Sequence, residues 1–153
     1  IISIHGLGSS AMVSAARKGA EEAAEKCGRE RCRLVAISVL TSMDQDALAE
    51  IGVTSPIAEE GARLASLSYG AGADGIVCSP QEAAQMRELL GPDALIVTPG
   101  VRPAGSAVGD QKRIATPAAA IEAGSSKLVV GRPITASDDP VAAFDAICEE
   151  LMA

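Results

Sequence analysis

An α/β fold built on a parallel sheet is what this sequence predicts, and three observations point to it. Short runs of branched aliphatics alternate with helix-period segments along all 153 residues. The apolar share of 48% comes mainly from Ala, Val, Ile and Leu, residues suited to strands covered by helices on both faces. Ser-Pro, Thr-Pro and Asp-Pro pairs stand where the helices should begin.

Residues 1–5, at the start of the chain, read as a strand. A helix from about Ser10 to Lys26 has Met12, Ala15, Ala16, Ala20 and Ala23 at helical spacing, with charges opposite. Residues 34–40 form the second expected strand, and Ser55-Pro56 predicts a helix with Ser55 as N-cap and Pro56 at its first position. Residues 75–78 read as the third strand and run into Ser79-Pro80-Gln81-Glu82, a capping box whose helix stops near Gly91. Residues 94–98 form the fourth, and a long loop with glycines and a proline comes after it. Thr116-Pro117 opens a helix that ends at Gly124, residues 127–130 form the fifth strand, and Asp139-Pro140 caps the last helix.

These are βα units in series without a linker, so the sheet is either a barrel or a doubly wound layer. The first turn has no G-x-G-x-x-G, which leaves a dinucleotide site little support. The sequence opens inside an apolar strand, and its units are too few to close an eight-stranded barrel of roughly 250 residues. The expectation is therefore a (β/α)8 TIM barrel truncated to about its last five βα units, with residues 1–153 the carboxyl-terminal part of a single barrel domain.

Composition excludes several classes of function. A net charge of −7 repels a polyanion, and with only Tyr69 and Phe144 as aromatics no stacking platform for nucleic acid is expected. No apolar run approaches the roughly 20 residues needed to span a bilayer, and residues 1–5 lack the features of a signal peptide. Cys27, Cys32, Cys78 and Cys148, with His5 the one histidine, fit neither zinc spacing nor a disulfide framework, so reduced thiols in a cytoplasmic protein are expected.

In a barrel, chemistry gathers where strands run out at their carboxyl ends. The last two such places, Pro99-Gly100-Val101-Arg102 and Gly131-Arg132-Pro133, each put a glycine and an arginine in adjacent βα loops. Glycine lets backbone amides approach an oxyanion, and arginine offers a planar fork to phosphate. Arg102 and Arg132 are thus expected to converge on one phosphate; ordinary solvated charges are the alternative. The loop between Arg102 and Arg113 suits a lid from which Gln111 would reach the ligand, or else is an ordinary surface connection. Thr41 and Ser42 offer polar groups able to read the edge of a planar heterocycle. A Ser–His hydrolase is disfavoured, because no orienting carboxylate accompanies His5, which reads better as a satisfied structural histidine.

Several segments together resemble the bacterial type of the orotidine 5′-phosphate decarboxylase family. They are Leu40-Thr41-Ser42-Met43, Asp74-Gly75-Ile76-Val77-Cys78-Ser79, Val97-Thr98-Pro99-Gly100-Val101-Arg102-Pro103, Gly109-Asp110-Gln111 and Gly131-Arg132-Pro133-Ile134-Thr135. The resemblance covers almost the whole chain in order and spacing. It implies loss of CO₂ from orotidine 5′-phosphate to give uridine 5′-phosphate, without metal or organic cofactor, in a cytoplasmic homodimer. It also implies that Thr41 contacts the pyrimidine, that Gln111 bridges base and phosphate, and that Arg102, Arg132 and the Gly131 amide hold the phosphate.

The sequence departs from the family pattern in two places. His5-Gly6-Leu7-Gly8-Ser9 stands where the family more often has His-Ala-Ser-Gly-Gly. The catalytic Asp-x-Lys-x-x-Asp array, and the earlier Asp and Lys that position the ribose, have no counterpart: Asp110-Gln111-Lys112 begins like the array, but Ala115 stands where the second Asp belongs. No catalytic residue is therefore expected in this chain, and the fragment alone is expected to be inactive. Rival readings are a related phosphosugar barrel enzyme, of the keto-gulonate phosphate decarboxylase or hexulose phosphate synthase type, and a non-catalytic phosphate-binding half-barrel.

Overall fold

A computed structural model describes residues 1–103 and 113–152. Its strands are β1 (Ile2–His5), β2 (Leu34–Ile37), β3 (Gly75–Val77), β4 (Leu95–Pro99) and β5 (Lys127–Val129). They pair in parallel, each with its successor in the chain, as one five-stranded sheet of order β1-β2-β3-β4-β5. The helices are α1 (Ser9–Cys27), α2 (Gln45–Glu50), α3 (Ile57–Gly70), α4 (Ala83–Leu90), α5 (Pro117–Glu122), α6 (Arg132–Thr135) and α7 (Pro140–Met152). The expected α/β class, the strand order and the helix between each pair of strands are all present.

Register sorts the strand side chains onto two faces. Ala36, Ile76 and Ile96 stand in register, and pack with Val13 of α1, Ala65 of α3 and Ala83, Met86 and Leu90 of α4 as the main core. Val35, Leu95 and Val97, with half-buried Val77, form a smaller cluster on the opposite, concave face. The central strands are thus apolar on both faces, as parallel strands should be. The outer strands differ: Ile2 and Val129 are about half exposed, and both β1 and β5 have one side without a strand neighbour among the described residues. Gly75 has a steric reason to be glycine, since a Cβ there would lie 1.9 Å from the Leu95 carbonyl oxygen on β4.

Two short helices are additions to the expected elements. α2 spans six residues, too few for a periodic signal, and is held by Asp44, whose side chain accepts from the Ala47 amide. α6 begins directly after β5. The start of α3 also corrects an expectation: Ser55 is not its N-cap. Pro56 holds that position, and the cap is supplied from α2, where Gln45 Oε1 accepts from the Ile57 amide at 2.9 Å and Gln45 Nε2 donates to the Ser55 carbonyl at 3.0 Å. The Ser79–Glu82 capping box forms as expected, around a turn of 3-10 helix that leads into α4.

Candidate functional site

The carboxyl ends of β2, β3 and β4 open into a cavity of about 280 Å³ on the concave face. Ile37, Val39, Val77 and Pro99 form its apolar wall, and Thr41 and Ser42 bring the hydroxyls. Thr41 is buried, at 8% exposure. It comes after Leu40 in a tight turn closed by the Met43 amide, which donates to the Leu40 carbonyl at 2.9 Å. A dry wall with a few placed polar groups is the usual make-up of a small-ligand site.

Cys78 also lines this cavity. Its burial pushes the thiol pKa up to about 12, with the charge of Glu82 adding to the rise and Arg113 opposing it. At neutral pH it is an inert thiol, not a nucleophile.

An ion pair braces the same rim. Arg113 Nη1 binds Glu82 Oε1, and both side chains are nearly buried, at 12% and 6% exposure. Arg113 Nη2 donates to the carbonyls of Val39, at 3.3 Å, and Leu40, at 3.1 Å. Glu82 Oε2 accepts from the Ser79 amide, and Ser79 Oγ donates to the Arg113 carbonyl. Sequence reasoning misses this pair. Glu82 is visible as a capping-box residue, but no local signal joins it to an arginine 31 positions later.

Pro99 of β4 and Val129 of β5 are in register, so Arg102 and Arg132 each lie three residues beyond a paired position, past adjacent strand ends. Arg102 is buried at 7% exposure, its amide donates to the Ala115 carbonyl, and its Nη1 donates to the carbonyl of Val101. Gly131 precedes α6 and is exposed, as is Arg132 at its first position. A short extra helix after a barrel strand is the usual setting of a phosphate grip. Gln111, and with it the expected lid, lies outside the described residues.

His5 is exposed and lines a second, apolar cavity of about 210 Å³ between the end of β2 and helices α2 and α3, apart from the one holding Thr41 and Ser42. Among the described residues no lysine stands at a strand's carboxyl end: Lys127 opens β5, and Lys18 and Lys26 are exposed on α1. Nor does any group of three or more His, Cys, Asp or Glu among them have the arrangement of a metal site.

Comparison with known proteins bears on this rim. The model of the Orotidine 5′-phosphate decarboxylase / HUMPS family matches residues 1–147. This chain belongs to that family. An orotidine 5′-phosphate decarboxylase of Halorhodospira halophila is 52% identical over 153 residues, covering all of this chain and 63% of the relative. One of Moorella thermoacetica is 48% identical over 152 residues, covering 99% and 60%. The crystal structure of orotidine 5′-phosphate decarboxylase from Lactobacillus acidophilus superimposes with a TM-score of 0.82 at 41% identity, over 99% of this chain and 62% of that one. The chain thus spans less than two thirds of the length of these orotidine 5′-phosphate decarboxylases. Its sheet and helices correspond to a portion of their barrel.

Proposed function

We propose that this chain is the carboxyl-terminal part of a single (β/α)8 barrel that decarboxylates orotidine 5′-phosphate to uridine 5′-phosphate in pyrimidine biosynthesis. The observation that carries the reading is the rim itself. Buried Thr41 in an apolar-walled cavity, and Gly131-Arg132 opening a short helix after β5, provide a base-reading and a phosphate-holding group at the strand ends of one sheet. The names and identities of the relatives support the same substrate.

In this reading Thr41 contacts the pyrimidine, while Arg102, Arg132 and the Gly131 amide hold the phosphate. Gln111 bridges the two. The wall of Ile37, Val77 and Pro99 excludes water and strengthens each polar contact to the base. Stabilising charge at the carbon that loses CO₂, and then protonating it, calls for a fixed ammonium among carboxylates. That Asp/Lys array belongs to the remaining part of the barrel. The complete protein is read as a cytoplasmic homodimer that needs no cofactor.

Calorimetry on the complete barrel tests this. Uridine 5′-phosphate should bind better than uridine by roughly 3 kcal/mol or more, the scale of several charge-assisted hydrogen bonds. Arg132→Ala should weaken every phosphorylated ligand, and Gln111→Ala chiefly those that span base and phosphate. Equal binding of nucleoside and nucleotide refutes the phosphate grip, and preference for a hexulose phosphate over the nucleotide moves the assignment to the phosphosugar enzymes.

A further inference from the structure

We infer that Arg113 is a positioning residue for Thr41, holding the turn that presents it to the pyrimidine. The inference rests on the reading of Thr41 as the base contact and deepens it.

The turn of Leu40, Thr41, Ser42 and Met43 is closed by the bond from the Met43 amide to the Leu40 carbonyl. One such bond leaves a turn free to open, since its net contribution is only about 1 kcal/mol. Arg113 Nη2 donates to that same carbonyl at 3.1 Å and to the preceding Val39 carbonyl at 3.3 Å. A carbonyl oxygen has two lone pairs, so both donors are accommodated. The guanidinium is itself fixed from the other side by Glu82, whose second oxygen is held by the Ser79 amide at the end of β3. Ser79 Oγ closes the circuit on the Arg113 carbonyl at 3.3 Å. The end of β3 and the start of α4 thereby set where the Thr41 turn stands.

A planar, always-charged fork suits this task because it serves a carboxylate on one edge and carbonyls on the other. Lysine has three donors but only a point charge on a flexible stem, without the fixed fork that sets these partners apart. Arg113 lines neither cavity described above, so its influence on a ligand passes through Leu40 and Thr41.

The test uses the complete barrel with two probes, uridine 5′-phosphate and ribose 5-phosphate. Arg113→Met should weaken the nucleotide roughly tenfold and leave ribose 5-phosphate within about twofold. Thr41→Ala should show the same selectivity, and the double variant should lose little more than either single one. Without any ligand, the Met43 amide should exchange faster in Arg113→Met while β3 and α4 keep their protection. Equal loss on both probes, no loss on the nucleotide, or an unchanged Met43 amide overturns the inference. Should Arg113→Met fail to fold, Glu82→Gln keeps the capping geometry but removes the counter-charge; it should show the same pattern more weakly, and its absence counts against Arg113 equally. A wild-type barrel that does not prefer the nucleotide to ribose 5-phosphate would instead defeat the base-reading assignment, and Met43 exchange would still decide whether Arg113 anchors the turn.

Discussion

Asp74, at the amino-terminal end of β3, offers a measurable division between a charge and a backbone contact. Its carboxylate accepts from Arg31 Nη1 and Nη2, each at 2.7 Å, and from the Leu34 amide at 2.7 Å. Arg31 and Asp74 side chains are both 19% exposed, so water competes for the pair, which should contribute about 1 kcal/mol. Leu34 is 2% exposed, and its amide would lose this acceptor on truncation, at a cost of about 1–3 kcal/mol. Asp74→Asn, which keeps an acceptor for Leu34, should therefore destabilise the complete barrel by about 1 kcal/mol, and Asp74→Ala by about 2–4 kcal/mol. Acidity gives the second arm. The Arg31 hydrogen bonds, helped by the Leu34 amide, hold the Asp74 carboxyl below its usual range despite its burial. A depressed carboxylate contributes stability that is fully present above the unfolded value of about 4 and disappears as pH falls through the folded one. The advantage of wild type over Asp74→Asn should thus be constant at neutral pH and vanish in acid below the usual aspartate range. Urea denaturation monitored by circular dichroism, at pH 7 and in steps downward, measures both. Equal costs for Asn and Ala, or an Asn penalty that persists undiminished in acid, would refute the reasoning.

Two further outcomes are expected. Ser9 sits at φ 68° and ψ 171°, a conformation that glycine adopts without strain, and it stands where the resembled family more often has glycine; Ser9→Gly should raise stability by about 1 kcal/mol in the same denaturation assay, and a loss would show the turn is not strained. The chain alone should associate, because half-exposed Ile2 and Val129 lie on strands with one edge unpaired among the described residues, and it should show no decarboxylation, because no lysine among them stands at a strand's carboxyl end. A monodisperse monomer by light scattering, or measurable turnover, would contradict this.

How far the sequence is legible depends on how local each signal is. Strand runs such as residues 75–78 and the Ser79–Glu82 capping box are written within a few residues, and both form. The cap of α3 escapes such a reading because its acceptor, Gln45, lies 12 positions before Ile57 on a helix too short to register as periodic. The site shows the same division. Thr41, Arg102, Gly131 and Arg132 emerge from reading the residues just past each strand, and all four do stand at the carboxyl-terminal rim. Arg113 does not, since its role depends on Glu82 and on carbonyls of Val39 and Leu40 more than 70 positions away.

The pairing of each strand with its immediate successor also has a kinetic meaning. Each ladder joins strands a whole βα unit apart, so loop closure precedes every pairing and a parallel sheet of this kind forms slowly. The helix-facing layer of Ala36, Ile76, Ile96 and Met86 draws on α1, α3 and α4, all of them neighbours of those strands in sequence. It can condense unit by unit during synthesis. The concave layer of Val35, Leu95 and Val97 packs against no helix among the described residues and, in the proposed barrel, awaits the closing of the sheet upon itself. In the proposed barrel, desolvation of that face is therefore the last event of assembly, and the cavity beside Thr41 matures only after the scaffold behind it is already solid.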